Sequence, residues 1–294
     1  MDALLAYLHS RQEDLLGLIK ALIGCESPSD DPAALARFTD LLSDTLSVGQ
    51  AVSPAVRRIP APGHGPHLQC EFLLPGPRRQ QGQILLLGHY DTVFPLGILS
   101  SMPLRQDDTR LYGPGVFDMK AGIAMAIFAV RALCDLDLPV RRRVLLQLNS
   151  DEEIGSPSSR ALTETAARRS TAVLVLEPAA GPDGKLKTAR KGVGDYTLTV
   201  RGRAAHAGAD FFAGASAILE LARQLEKIAA FTNLRRGITV NPGVISGGSR
   251  PNVVAAEARA EIDVRVLRLR DAAPLEGRLR RLRPFDKRCT MEVK

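Results

Sequence analysis

Apolar residues in the first two dozen positions fall at Leu4, Leu5, Leu8, Leu15, Leu18, Ile19, Leu22 and Ile23, the spacing of one face of an amphipathic helix. Ser27-Pro28 closes that helix. Asp31-Pro32 opens a second one, which sets Leu35, Phe38, Leu41 and Leu42 on one side. The Pro- and Gly-rich stretch from Pro60 to Pro66 predicts a loop. Three short apolar runs bounded by turn residues follow: Ile84 to Leu87, Val144 to Leu148 and Ala172 to Leu176. All three predict buried strands of one sheet. A helix from about Lys120 to Cys134, with Ile123, Ile127 and Val130 inward, separates the first two. Strands alternating with helices predict a layered α/β structure.

Beyond about Lys191 the period changes. Tyr196, Leu198 and Val200 alternate with polar residues, a helix spans roughly Ala215 to Ala229, and a strand lies near Ile238 to Val244. Next, Val254, Ala256, Ala258, Ala260, Ile262, Val264 and Val266 occupy every second position, with Glu257, Arg259, Glu261, Asp263 and Arg265 between them. A strict period of two means one dry face and one wet face. A further helix from Asp271 to Leu282 completes a small α+β unit.

The length of 294 residues favours two domains, and the change of period places them at 1–190 and 191–294. The net charge of +7 comes mostly from Arg, but the Arg clusters are scattered and no aromatic residues interleave with them. With no nucleic-acid motif either, this charge predicts solvated faces and a pull on small anions rather than a nucleic-acid partner. Cys25, Cys70, Cys134 and Cys289 lack any paired zinc or redox spacing. Met1-Asp2-Ala3-Leu4 shows no basic stretch leading into an apolar run, so no signal peptide is expected. No stretch approaches the ~20 apolar residues that span a bilayer. A cytoplasmic protein without a membrane partner is the expectation.

Candidate chemistry gathers where the apolar runs end. Leu85-Leu86-Leu87 leads into Gly88-His89-Tyr90-Asp91, so an imidazole and an acid stand two apart at a strand mouth, where open α/β sheets place ligands. There His89 would offer one ring nitrogen to a metal and Asp91 would hold the other; an incidental His in a turn stays equally open. In Tyr112-Gly113-Pro114-Gly115-Val116-Phe117-Asp118-Met119-Lys120, Asp118 stands just before a helix, where an N-cap is the ordinary use of Asp. Val144 to Leu148 runs into Asn149-Ser150-Asp151-Glu152-Glu153, and consecutive acids repel unless solvated, paired or metal-bound. Leu174-Val175-Leu176-Glu177 brings another acid to another strand end. Imidazole with carboxylates suits zinc and similar divalent ions.

The runs GHYDTV, YGPGVFDMKAG, SDEEIGS, LEP and GRAAHAG resemble, in order and spacing, the dizinc family of acetylornithine deacetylase, succinyl-diaminopimelate desuccinylase and glutamate carboxypeptidase, the glutamate carboxypeptidase branch most of all. The resemblance implies a zinc-peptidase-like α/β/α catalytic domain carrying an inserted ferredoxin-like α+β dimerisation domain. It also implies two Zn2+ ions, or Co2+ or Mn2+ in their place. By motif, His89 resembles a ligand of one metal, Asp118 the bridging carboxylate, Glu153 a ligand of one metal and Glu177 of the other. Glu152 resembles the general base and Asp91 the partner of His89. The family's peptide after the bridging Asp is cis.

His206 resembles a histidine that reaches the partner subunit's site in family dimers and steadies the oxyanion; a surface His is the alternative. Asn252 and Arg265 match substrate-contacting positions. For Arg265 an ordinary ion pair with Glu257 or Asp263 is the alternative. The implied substrate is a small peptide or N-acyl amino acid, cut beside a free carboxylate by a carboxypeptidase or a deacylase. The implied assembly is a homodimer through 191–294. Relatives return to the catalytic domain after the insert, with a final His ligand. Here the last histidine is His206 and the sequence stops at Lys294, so the expectation is a shortened chain with weakened metal binding and little activity. A non-catalytic dimerisation or binding module is the competing class. No Gly-x-Ser-x-Gly elbow supports a serine hydrolase.

Overall fold

A computed structural model describes residues 3–47, 55–77 and 82–294; Met1 and Asp2 of the opening stretch lie outside them. The chain divides into two compact units, Met1–Gly184 and Lys185–Lys294.

The first unit opens with two helices rather than the single one expected. α1 (Ala3–Ser10) and α2 (Gln12–Gly24) meet at Arg11, whose backbone (φ −104°, ψ 13°) leaves the helical region. α1 buries none of its residues, so no core contact holds it in line with α2. α3 (Pro32–Ser47) begins where Asp31 Oδ1 accepts the amides of Ala33 and Ala34 at 3.0 and 2.9 Å, an N-cap with Pro at the first helical position. β1 (Ala55–Ile59) and β2 (His67–Phe72) form an antiparallel pair around the expected 60–66 loop. Periodicity did not predict either strand. β3 (Gln83–His89) follows, then a short ribbon of β4 (Arg105–Gln106) and β5 (Leu111–Tyr112). α4 (Ala121–Asp135), β6 (Arg143–Asn149), α5 (Arg160–Arg168) and β7 (Ser170–Val175) complete the unit.

The sheet order is β1-β2-β6-β3-β7, with β6, β3 and β7 mutually parallel. Val144, Leu146 and Leu148 of β6 join Leu22, Ile23, Leu35, Phe38, Ile123 and Ile127 from α2, α3 and α4 in one core. The alternate residues face α5: Gln147 and Asn149 donate to Thr163 Oγ1 at 2.8 and 3.1 Å. Helices therefore cover both faces, the expected layering. The third apolar run is a correction. Among the described residues β7 pairs on one side only, with β3, and Val173, Leu174 and Val175 are exposed. Side chains project from the faces of a sheet, so this exposure reflects how little of the described chain packs over β7.

The second unit runs β8 (Gly192–Arg201), α6 (Ala217–Ala229), β9 (Thr239–Gly247), β10 (Glu257–Val266), α7 (Ala272–Arg280) and β11 (Thr290–Val293). Its antiparallel order β11-β8-β10-β9 and βαββαβ connectivity are ferredoxin-like. The alternation in β10 is as expected: Ala258, Ala260, Ile262, Val264 and Val266 are buried in a core with α6 and α7. Residues 290–293, the last strand, belong to this sheet. Among the described residues no helix is long and apolar enough to cross a membrane.

Candidate metal centre

Three parallel strands end at one edge of a sheet. His89 closes β3 and stands in register with Asn149, the last residue of β6; Val175 of β7 pairs with Leu87, and the Leu176 amide bonds the Leu87 carbonyl at 2.8 Å. Whatever follows each strand is thus delivered to the same place: His89 itself, then Glu152 and Glu153, then Glu177. Asp118 comes from a separate turn, residues 116–120, just before α4. Its backbone is extended (φ −121°, ψ 100°), and the Asp118-Met119 peptide is cis, as the family pattern implies. Asp118 is not a cap: α4 begins after Lys120 without a side-chain cap. Gly122 lets that helix approach, since a Cβ there would lie 2.0 Å from the Leu176 carbonyl oxygen.

The side chains converge. His89 Nε2 lies 3.0 Å from Asp118 Oδ1, 3.5 Å from Glu177 Oε1 and 3.9 Å from Glu152 Oε2. Two sets of possible ligand atoms, His89-Glu152-Glu177 and His89-Asp118-Glu153, each fall within 4.8 Å of one another. Three protein ligands with one position left open is the pattern of catalytic zinc sites. Both sets draw on the same Nε2, because His89 Nδ1 is taken up by Asp91, 3.1 Å from its carbonyl and 3.3 Å from Oδ1. One nitrogen serves one ion, so a second ion would depend on carboxylates.

Electrostatics fit a cation. Burial works against the charged form of His89, yet hydrogen bonds to Asp91 and Glu177 and the nearby acids push its pKa up to about 11. The ring proton stands where a metal would. Desolvation, together with Asp118, Asp91 and Glu152, pushes Glu153 up to about 7 against the pull of His89, and Glu152 is raised for the same kinds of reason. Carboxylates crowded this closely around one imidazole lack positive charge, and a divalent ion supplies it.

The first acid of the 151–153 run turns away from this cluster. Asp151 is fully buried, and its Oδ2 accepts the Ser158 amide at 2.7 Å, the Ser158 hydroxyl at 2.6 Å and the Ser159 amide at 3.1 Å. Burial raises its pKa, but these bonds outweigh that and hold it below the usual carboxylate range. Asp91 does more than face His89. Its Oδ1 accepts the Glu152 amide at 3.2 Å, and its Oδ2 accepts the Glu153 amide at 3.1 Å and the Ser29 hydroxyl at 2.8 Å. Sequence reasoning missed Ser29, His67 and Ser158, which support these acids. Of the three, buried His67 in an alternating His-Leu-Gln-Cys-Glu-Phe run offered the one faint signal.

The remaining expected site residues lie in the second unit. His206 is exposed, and its Nδ1 accepts the amides of Gly208 and Ala209, both at 3.1 Å, so the proton of the neutral ring sits on Nε2. Asn252 is exposed on the adjoining loop, where its carbonyl accepts the Ala207 amide at 3.0 Å. Arg265 is paired along its own strand with Asp263, Nε to Oδ2 at 2.9 Å.

Comparison with known proteins shows which family the chain is similar to. A family model described as peptidase family M28 matches residues 73–234, more than half of the chain, and the M20 peptidase dimerisation domain matches 188–283. Carboxypeptidase G2 of Pseudomonas sp. strain RS-16 is 30% identical over 188 residues, covering 64% of this chain and 45% of that protein. Acetylornithine deacetylase of Myxococcus xanthus is 31% identical over 194 residues, covering 62% and 49%. The chain thus spans about half the length of the curated relatives it matches. Among solved structures, an aminopeptidase from Bacillus cereus superposes with a TM-score of 0.79 over 96% of this chain and 75% of that one. Its identity is 21%, so it speaks to the fold.

Proposed function

The chain belongs to the metallopeptidase family described by the M28 peptidase and M20 dimerisation models, and from that premise we propose that it is the metal-binding part of a two-zinc amidohydrolase of the glutamate carboxypeptidase type. The observation that carries this reading is the meeting of His89, Asp118, Glu152, Glu153 and Glu177 at one sheet edge. His89 and Glu177 would hold one ion, Glu153 the other, and Asp118 both. Such a pair, when bound, activates water and polarises the scissile carbonyl. Co2+ or Mn2+ suits the same donors.

Glu152 then takes the proton of the attacking water and returns it to the leaving amine. A carboxyl whose pKa is raised by burial and neighbouring acids is a better base than an ordinary one. Asp91 keeps the His89 proton on Nδ1, so Nε2 presents its lone pair to the site. In the second unit, Arg265 offers a guanidinium to a substrate carboxylate once it exchanges Asp263 for it, and Asn252 contributes an amide. His206, with Nε2–H free to donate, would steady the oxyanion from a partner subunit. A homodimer through the second unit is supported by its edge strand β9, where Val244 and Ile245 are 55% and 62% exposed. The substrate is then a small peptide or N-acyl amino acid. An N-acyl amino acid deacylase is the second reading, favoured by the similarity to acetylornithine deacetylase. All four cysteines are free, which suits a reducing compartment.

Metal analysis combined with turnover of C-terminal glutamyl peptides and N-acyl amino acids tests the proposal. Zinc-dependent hydrolysis that Glu152→Gln lowers by roughly 10²–10⁴-fold is the expected result. A chain that binds no divalent metal would refute it.

A further inference from the structure

Glu152 and Glu153 lie side by side, and both belong at one metal pair. Two flexible, mutually repelling carboxylates do not choose that direction unaided; the backbone that carries them has to be held. In this structure four consecutive residues, 150–153, are tethered, and by two different groups. Asp91 takes the amides of Glu152 and Glu153. Ser150 and Asp151 are tied to an imidazole that the proposed chemistry leaves unassigned.

That imidazole is His67 of β2, 1% exposed, with both ring nitrogens engaged. The Ser150 hydroxyl donates to the Gly65 carbonyl at 2.5 Å, while the Ser150 amide points at His67 Nδ1 at 3.2 Å. Nδ1 is therefore the acceptor, and the ring proton sits on Nε2. From Nε2 it is donated to Ser158 Oγ at 3.1 Å, and the Ser158 hydroxyl passes its own proton toward Asp151 Oδ2 at 2.6 Å. The relay has one direction, His67 to Ser158 to Asp151, and the Ser158 and Ser159 amides hold the same Asp151 oxygen. It closes a ring around the turn, in which the Gly155 amide bonds the Glu152 carbonyl and the Ser156 amide the Asp151 carbonyl, both at 2.8 Å.

We propose that His67 is a positioning residue: with Ser158 and Asp151 it pins the start of the strand-end turn from behind, so that Glu152 and Glu153 leave the turn facing the metals. The inference rests on the metal-site reading above. A group filling space would be replaceable by any side chain of like volume, whereas a positioning imidazole needs a donor on one side and an acceptor on the other.

The test is Co2+ binding to the full chain, read by affinity and by the visible absorption band that reports ligand geometry. The proteins are wild type, His67→Phe, Ser158→Ala and Ser158→Thr, with folding checked by circular dichroism. Supporting groups behind metal ligands change affinity by about 10–100-fold. His67→Phe and Ser158→Ala are expected to weaken Co2+ binding by at least about tenfold and to alter the band, and Ser158→Thr, which keeps the hydroxyl, to restore both. Folded variants with unchanged affinity and band, whatever their melting temperature, would overturn the proposal. If His67→Phe does not fold, the Ser158 pair decides. A wild-type chain that binds no Co2+ would remove the site itself, and this inference with it.

Discussion

Replacing Glu153 by Gln is expected to stabilise the metal-free protein and to weaken its hold on metal. Desolvation, with the crowded acids behind it, raises the Glu153 carboxyl, ordinarily near 4.5, to about 7. The folded chain therefore binds this proton more tightly than the unfolded chain does. The difference is harmless below about pH 4.5, where both states are protonated. It becomes a growing cost to the folded state as the pH rises, and it is complete above about 7. A gap of about 2.5 in pKa corresponds to ~3.4 kcal/mol at 1.36 kcal/mol each. That is an upper bound, because Glu153 is partly open to water and solvent screens it. About 1 kcal/mol is the realistic gain, or a rise in melting temperature of roughly 2–4 °C for a chain of this size.

The assay is thermal or urea unfolding of both proteins in chelator at pH 8 and pH 4, repeated with excess Zn2+. Glu153→Gln should melt higher than wild type at pH 8 without metal and about equally at pH 4. With Zn2+ the order should reverse, since ligand binding stabilises by mass action and the variant binds less. A variant less stable at pH 8 in chelator, or equally stabilised at both pH values, would show that Glu153 does not sit in an excess of negative charge.

Three further outcomes follow from the geometry. Asp91→Asn keeps one acceptor oxygen but leaves the donors at the other facing an amide, so metal affinity by calorimetric titration is expected to fall about 10–100-fold. Gly122→Ala drives a Cβ to within 2.0 Å of the Leu176 carbonyl, so α4 and the strand end carrying Glu177 must separate. A loss of about 1–3 kcal/mol in urea unfolding is expected, along with weaker zinc binding. Ile245→Lys puts a charge on the exposed edge strand β9, and sedimentation should show a dimer of wild type giving way to monomer; an unchanged assembly would place the contact elsewhere.

Periodicity and motif order alone determined the three apolar strand runs of one sheet, the inner faces of α3 and α4, the alternation in β10 and the acids and imidazole at the strand mouths. These are local properties: a period of two or 3.6 residues, or a polar residue directly after an apolar run, is written in neighbouring positions. Tertiary structure decided the rest. The alternating His-Leu-Gln-Cys-Glu-Phe run of β2 does not reveal that its polar His67 and Gln69 are buried, Gln69 by pairing with Gln147 of β6, since no single strand shows such cross-strand matching. β7 reads as buried but is exposed, because burial depends on what packs over the faces of the sheet, which an apolar run does not record. The run Asp151-Glu152-Glu153 looks like three equivalent acids. The fold turns the first inward to Ser158 and the other two toward His89, since a carboxylate's role follows from the donors that meet it in space.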